Sequence, residues 1–214
     1  MYKKVNQKGE WRVEINESSS TVTVNLSLHA AICNDSKDPN INLYFLANAI
    51  EQQLKLVYEI NYHRNFVDDV VIRSGLDGYP NQNNSRMVNK HVFVKFKLQK
   101  RLSLDPNDIR PDEHLILIKD DDFFLKTFHT MAYGAVNKIG GTILYLNQTK
   151  IRNMINGLDN NTIPHELGHS LGLLHVDENR SRFRSLGFKS PQYWDLGKQK
   201  LDSNNVMFSG KISV

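Results

Sequence analysis

Cysteine is nearly absent from this chain. Cys33 is the only one in 214 residues, so no internal disulfide can form and none holds the fold together. No apolar run reaches the length needed to span a membrane, and none at the N-terminus (Met1-Tyr2-Lys3-Lys4-Val5-Asn6) resembles a secretory leader. The chain is therefore expected to be a mature fragment or one module of a longer polypeptide. An excess of one charge is also missing. With 27 basic against 23 acidic residues the net charge is only +4, with no basic stripe of the kind that follows nucleic acid. Internal repeats and low-complexity tracts are absent too. What remains, 40% hydrophobic and 23% charged residues, is the composition of a globular protein with one well-filled core. A single domain over residues 1–214 is expected.

Apolar periodicity places the elements. Residues 1–19 are polar and read as a lead-in segment, and residues 21–28 alternate β-branched or apolar with polar residues, the pattern of a half-buried strand. Cys33 follows that run and reads as a buried core thiol rather than a latency switch. After Asp38-Pro39-Asn40, the residues Leu43, Leu46, Ala47, Ile50, Leu54 and Val57 recur at helical spacing. A second strand is expected within residues 65–73, a Gly/Asn/Pro/Ser-rich loop over 74–89, and a third strand over 92–98. The apolar run His114-Leu115-Ile116-Leu117-Ile118 suits a strand buried on both faces. Asp120-Asp121-Asp122 follows it; calcium could use such a cluster, but without a full ligand loop it reads as a solvated acidic turn. The last strand before the key motif is expected over residues 140–147. The fold class is α+β.

Residues 165–175 read His165-Glu166-Leu167-Gly168-His169-Ser170-Leu171-Gly172-Leu173-Leu174-His175. Two histidines four apart project from one helix face, one turn above the other. Glu166 lies about 100° around the axis from His165, placed to take a proton from water without binding a metal itself. Gly172 can adopt the positive φ that ends a helix and turns the chain, letting His175 come back toward the first two rings. Three imidazoles with a fourth position open suit a catalytic zinc rather than a structural one. A chance match on an amphipathic helix explains five residues, but poorly explains the added glycine and third histidine. Asp159, Asn160, Asn161 and Thr162 offer N-caps ahead of it, and Pro164 falls in the first turn. Leu167, Leu171 and Leu174 share a face that can pack under a sheet.

In this extended form the chain resembles the metzincin metalloendopeptidases, the clan of astacins, adamalysins, serralysins and matrixins. Asn204-Asn205-Val206-Met207-Phe208-Ser209-Gly210 looks like that clan's methionine turn. The resemblance implies a twisted mixed sheet with two long helices in an upper subdomain (about 1–174) and a small irregular lower subdomain (about 175–214). It implies one catalytic Zn2+ held by His165, His169 and His175, Glu166 as general base, and Met207 packed under the metal. It also implies an extended protein or peptide substrate added along the strand near residues 142–146, with Phe208 and Ser209 shaping a side-chain pocket. Two features depart from the clan. No tyrosine lies two residues after Met207, and only residues 208–214 follow the methionine where a helix is usual. The subfamily stays open.

The expected activity is zinc-dependent hydrolysis of peptide bonds. A different class, a zinc-binding module that does not cleave, would be signalled by loss of the base, and Glu166 is present. The segment also looks similar to metzincin-like toxin domains carried by larger bacterial proteins. That role implies delivery outside the producing cell, as a secreted effector, and a cognate inhibitor protein. The basic residues Arg180, Arg182, Arg184 and Lys189 read as a solvated loop close enough to the motif to touch substrate, and Tyr193 as a packing partner of Trp194. The remaining histidines, His29, His63, His91, His114 and His129, show no ligand spacing with each other.

Overall fold

The computed structural model describes residues 2–8, 11–70 and 84–173. It is an α+β fold built on one mixed eight-stranded sheet. The strands are β1 (Tyr2–Lys8), β2 (Trp11–Glu17), β3 (Thr21–Asn34), β4 (Ile60–Val70), β5 (Asn84–Ser103), β6 (His114–Lys119), β7 (Gly134–Val136) and β8 (Ile143–Asn147). The helices are α1 (Leu43–Tyr58), α2 (Asp121–Phe128), α3 (Ile151–Ile155) and α4 (Thr162–Ser170). No helix among the described residues is long and apolar enough to cross a membrane.

Strand β3 is the organising element. β5 runs parallel along one edge of it, from the Thr21–His91 pair to the Cys33–Ser103 pair. The other edge is shared: β2 pairs antiparallel with residues 22–28 and β6 pairs parallel with residues 30–34. β8 continues the sheet parallel to β6, and β7 closes that side antiparallel to β8.

Strict alternation assigns the two faces. Leu28, Ala30, Ile32, Ile116, Ile118, Leu144 and Leu146 point into the main core with α1, α3 and α4. Ala31, Cys33, Leu115 and Leu117 form a smaller cluster on the opposite face. Cys33 is fully buried there, as a core thiol should be. Each large aliphatic side chain buried in this way contributes about 1.5–3 kcal/mol. On the second face Phe123 and Phe128 of α2 lean on Tyr145 at ring distances of 4.7 and 6.1 Å.

Local chemistry explains the element ends. The Asn42 side chain caps α1 by accepting hydrogen bonds from the Tyr44 and Phe45 amides, both at 3.1 Å. The acidic triplet is not a turn, as expected from sequence, but the start of α2: Asp120 is the cap residue and Asp121 and Asp122 fill the first turn. There carboxylates face the positive end of the helix dipole. A lysine already sits among them, with Lys37 Nζ 2.9 Å from Asp122 and 3.5 Å from Asp120.

Several sequence expectations need correction. The polar lead-in folds as the β1–β2 hairpin. The second strand begins earlier, at Ile60, and the third runs over twenty residues, so residues 84–89 of the expected loop are strand. Both belong to a ribbon whose side chains over 60–65 face solvent, so no buried alternation marks it. The helix carrying the histidines is not long. It has nine residues, because the chain turns out of it before Gly172.

Candidate metal centre and base

α4 is built from both ends. Asp159 Oδ1 accepts hydrogen bonds from the Asn161 and Thr162 amides, both at 3.1 Å, and so satisfies amides that have no partner inside the helix. Of the cap candidates it is the distant Asp159 that acts, while the Asn161 side chain makes no cap bond. α1 fixes this start in space. Gln53 Nε2 donates to the Asp159 and Met154 carbonyls at 2.9 and 3.0 Å, and Tyr58 Oη donates to the Pro164 carbonyl at 2.9 Å. Ile163 and Leu167 are fully buried in the main core, and Leu171 packs partly against it.

The other end is a Schellman turn, with Gly172 at φ +87°. The Gly172 amide donates to the His169 carbonyl at 2.9 Å and the Leu173 amide to the Gly168 carbonyl at 3.0 Å. Gly172 thus takes the positive φ expected of it just past the helix end. The same turn has a chemical consequence, because it presents the Leu173 carbonyl to His169 Nδ1 at 2.8 Å. A carbonyl only accepts, so Nδ1 carries the proton and the neutral ring offers a lone pair at Nε2.

That lone pair meets His165. The two Nε2 atoms are 3.1 Å apart, with the rings nearly perpendicular at 87°. Two ligands of a tetrahedral zinc at normal Zn–N distances stand about 3.3 Å apart. The pair thus fits the separation a zinc ion requires, and a backbone carbonyl fixes the tautomer of one member as such sites usually demand.

Glu166 is 5% exposed, against the edge strand β7. Burial pushes its carboxyl up to about 8, and a hydrogen bond from the Val136 amide partly offsets this. A cation beside it would draw the value down. The close approach of β7 depends on Gly134, where a Cβ would stand 2.8 Å from Thr162 Cγ2 and 3.1 Å from Glu166 Cγ.

The structure brings together His165 and His169, while Glu166, their neighbour on α4, is turned against β7. His175, the third expected ligand, lies outside the described residues, as do Leu174, Met207, Phe208, Ser209, Tyr193, Trp194 and the basic stretch over 180–189. Among the described residues no group of three His, Cys, Asp or Glu side chains converges.

Comparison with protein-family models, curated proteins and solved structures finds no match to this chain.

Two sequence expectations change. β8 cannot be the open edge near residues 142–146, since β6 and β7 take its two sides. The edge is β7. Asn137 and Tyr133 hydrogen-bond into β8, so alternation turns the backbone groups of Gly134 and Val136 outward. The five other histidines are not all apart, because the β4–β5 register sets His63 directly opposite His91. Sequence reasoning missed Gln53, Tyr58, Gly134 and the Val136 amide. Only Gly134 left a trace, as a glycine inside a short apolar stretch.

Proposed function

We propose that this chain is a zinc-dependent endopeptidase of metzincin type. The observation that carries the proposal is the facing pair of Nε2 atoms on His165 and His169, 3.1 Å apart, with the buried Glu166 next to His165 in the chain. His165 and His169 would hold the zinc, with His175 as the third ligand on the sequence pattern. When bound, zinc would acidify water and polarise the scissile carbonyl.

The chain's own groups supply the rest. Glu166 takes the proton from the attacking water and delivers it to the departing amine. Burial raises the proton affinity of this carboxyl, and a bound cation would lower it again toward the ionised form a base needs. At the β7 edge an extended peptide would add as a further strand through the backbone of Gly134 and the Val136 carbonyl, the Val136 amide being taken by Glu166. The element order of strand, long helix, several strands and histidine helix supports the reading, and so does the mixed sheet under α1 and α4.

The test is hydrolysis of an unfolded protein substrate by wild type and Glu166→Gln, each with and without a chelator. Cleavage should need the metal and fall about 10²–10⁴-fold in the variant, with zinc still bound. Cleavage that survives both treatments sinks the proposal. One equivalent of zinc bound with no cleavage by wild type would point to a binding module instead.

A further inference from the structure

The polar N-terminal hairpin touches the histidine helix at one defined place. Trp11, the first residue of β2, is its only fully buried residue with a described side chain. Its indole Nε1–H donates to Ser170 Oγ at 3.3 Å, across 159 positions of sequence. Ser170 spends its own proton on the Leu167 carbonyl at 2.7 Å, so its lone pair is what faces the indole. The ring is held edge-on by His114 at 5.9 Å and leans on Phe96 at 6.2 Å.

His114 reaches the same helix end by a second route. Its ring lies by the Gly141 backbone, and the neighbouring Gly140 amide donates to the His169 carbonyl at 2.8 Å. Gly141 has no room for a side chain, since a Cβ would run into Asn137 and the Lys138 carbonyl.

These contacts fall where a helix is weakest. The last turn of α4 carries His169, and the aim of that ring depends on a carbonyl in the turn beyond it. Metal sites need their ligands held within about 0.5 Å. We infer that the N-terminal hairpin is a positioning element for the metal centre, with Trp11 acting through Ser170 to hold the final turn of α4 and so the aim of His169. The inference rests on the zinc reading of His165 and His169.

The experiment measures zinc affinity by competition with a chromophoric chelator, and melting of the metal-free protein. The set is wild type, Trp11→Phe, Ser170→Ala, Ser170→Thr and the Trp11→Phe/Ser170→Ala double variant. Either single loss should weaken zinc binding about tenfold, as groups that orient a ligand typically do. The double variant should bind no more weakly than the singles, and Ser170→Thr, which keeps the hydroxyl, should bind like wild type. Trp11→Phe that melts earlier but binds zinc normally overturns the inference, since the hairpin then only stabilises the fold. Additive losses overturn it as well, because the two residues would act separately. Should Trp11→Phe fail to fold, Ser170→Ala removes the same bond from the helix side, and unchanged affinity there is decisive. A wild type that binds no zinc is a different failure, taking down the site reading and this inference together.

Discussion

Two pairs of histidines sit in this molecule, and they differ in everything that matters for a metal. His165 and His169 are one turn apart on α4, nearly perpendicular, with their Nε2 atoms facing at 3.1 Å. His63 and His91 lie opposite each other on exposed parts of β4 and β5, and their rings stack at 4.3 Å with planes only 14° apart. A metal ion lies near the plane of each imidazole it binds. Perpendicular rings can share one ion at the point where their planes cross, while stacked rings aim their lone pairs along parallel lines. The outer shell differs in the same sense. A main-chain carbonyl fixes His169, whereas His63 and His91 lean on the side-chain amides of Asn89 and Asn61. Adjacency is common to both pairs; convergence belongs to one.

The largest expected effect separates the pairs outright. His169→Ala should weaken zinc binding by more than about a hundredfold, beyond what loss of an orienting group causes. It should also remove zinc-dependent stabilisation, which grows as the logarithm of ligand concentration over Kd. Calorimetric titration reads the first and thermal melting with added zinc reads the second. Equal binding by wild type and variant would break the comparison at its root.

A second prediction concerns the support beneath the pair. The His114 ring is buried, and burial holds its pKa down at about 4, against a smaller opposing pull from the nearby Gly141 backbone. In the unfolded chain the same ring titrates near 6.5. Below pH 6.5 the unfolded state therefore takes up a proton that the folded state refuses until about 4, so stability falls with pH across that window. The contribution is on the order of 3 kcal/mol and is flat above pH 7. Urea unfolding between pH 4 and 7 should show a shallower slope in His114→Phe than in wild type. Equal slopes would mean that another group drives the acid response.

How much of this was legible in the sequence follows from where each signal is stored. α1 was readable because its buried stripe of Leu46, Ile50 and Leu54 repeats at helical spacing. β6 was readable as an unbroken apolar run. The convergence of His165 and His169 was readable because four residues make one helical turn. The β1–β2 hairpin and the outer ribbon were not, since strands with polar or exposed side chains on both faces lose the alternation that announces them. β7 was too short to show a period. The Val136 amide and the Leu173 carbonyl are main-chain groups that any residue supplies, so composition carries no trace of them. Trp11 and Ser170 meet only through tertiary packing.

The third prediction is smaller and tests whether α1 sets the height of the site. Tyr58→Phe removes the donor to the Pro164 carbonyl and leaves the ring packed near Phe96. Stability should fall by about 1 kcal/mol, the net value of a typical buried hydrogen bond. Zinc affinity should change less than in Trp11→Phe, because the lost bond lies at the start of α4, a turn away from His169. A larger loss of affinity than of stability would move the sensitive end of the helix from its last turn to its first.

The smallest effect is expected at the stacked pair, and it sharpens the contrast best. His63→Ala removes one ring of an exposed cross-strand pair, an interaction worth roughly 0.2–1 kcal/mol. His91 keeps its other neighbour, Phe93, at 4.0 Å, so the stack is shortened rather than abolished. Zinc affinity at one equivalent should match wild type, and so should peptide hydrolysis. A weaker second binding event at excess zinc would be compatible only if the exposed rings turn out of their stack, and it should then vanish in both His63→Ala and His91→Ala. A drop in first-equivalent affinity in either variant would mean that the sequence neighbours on α4 are not where the ion binds, and geometry on the helix would lose its claim to the chemistry.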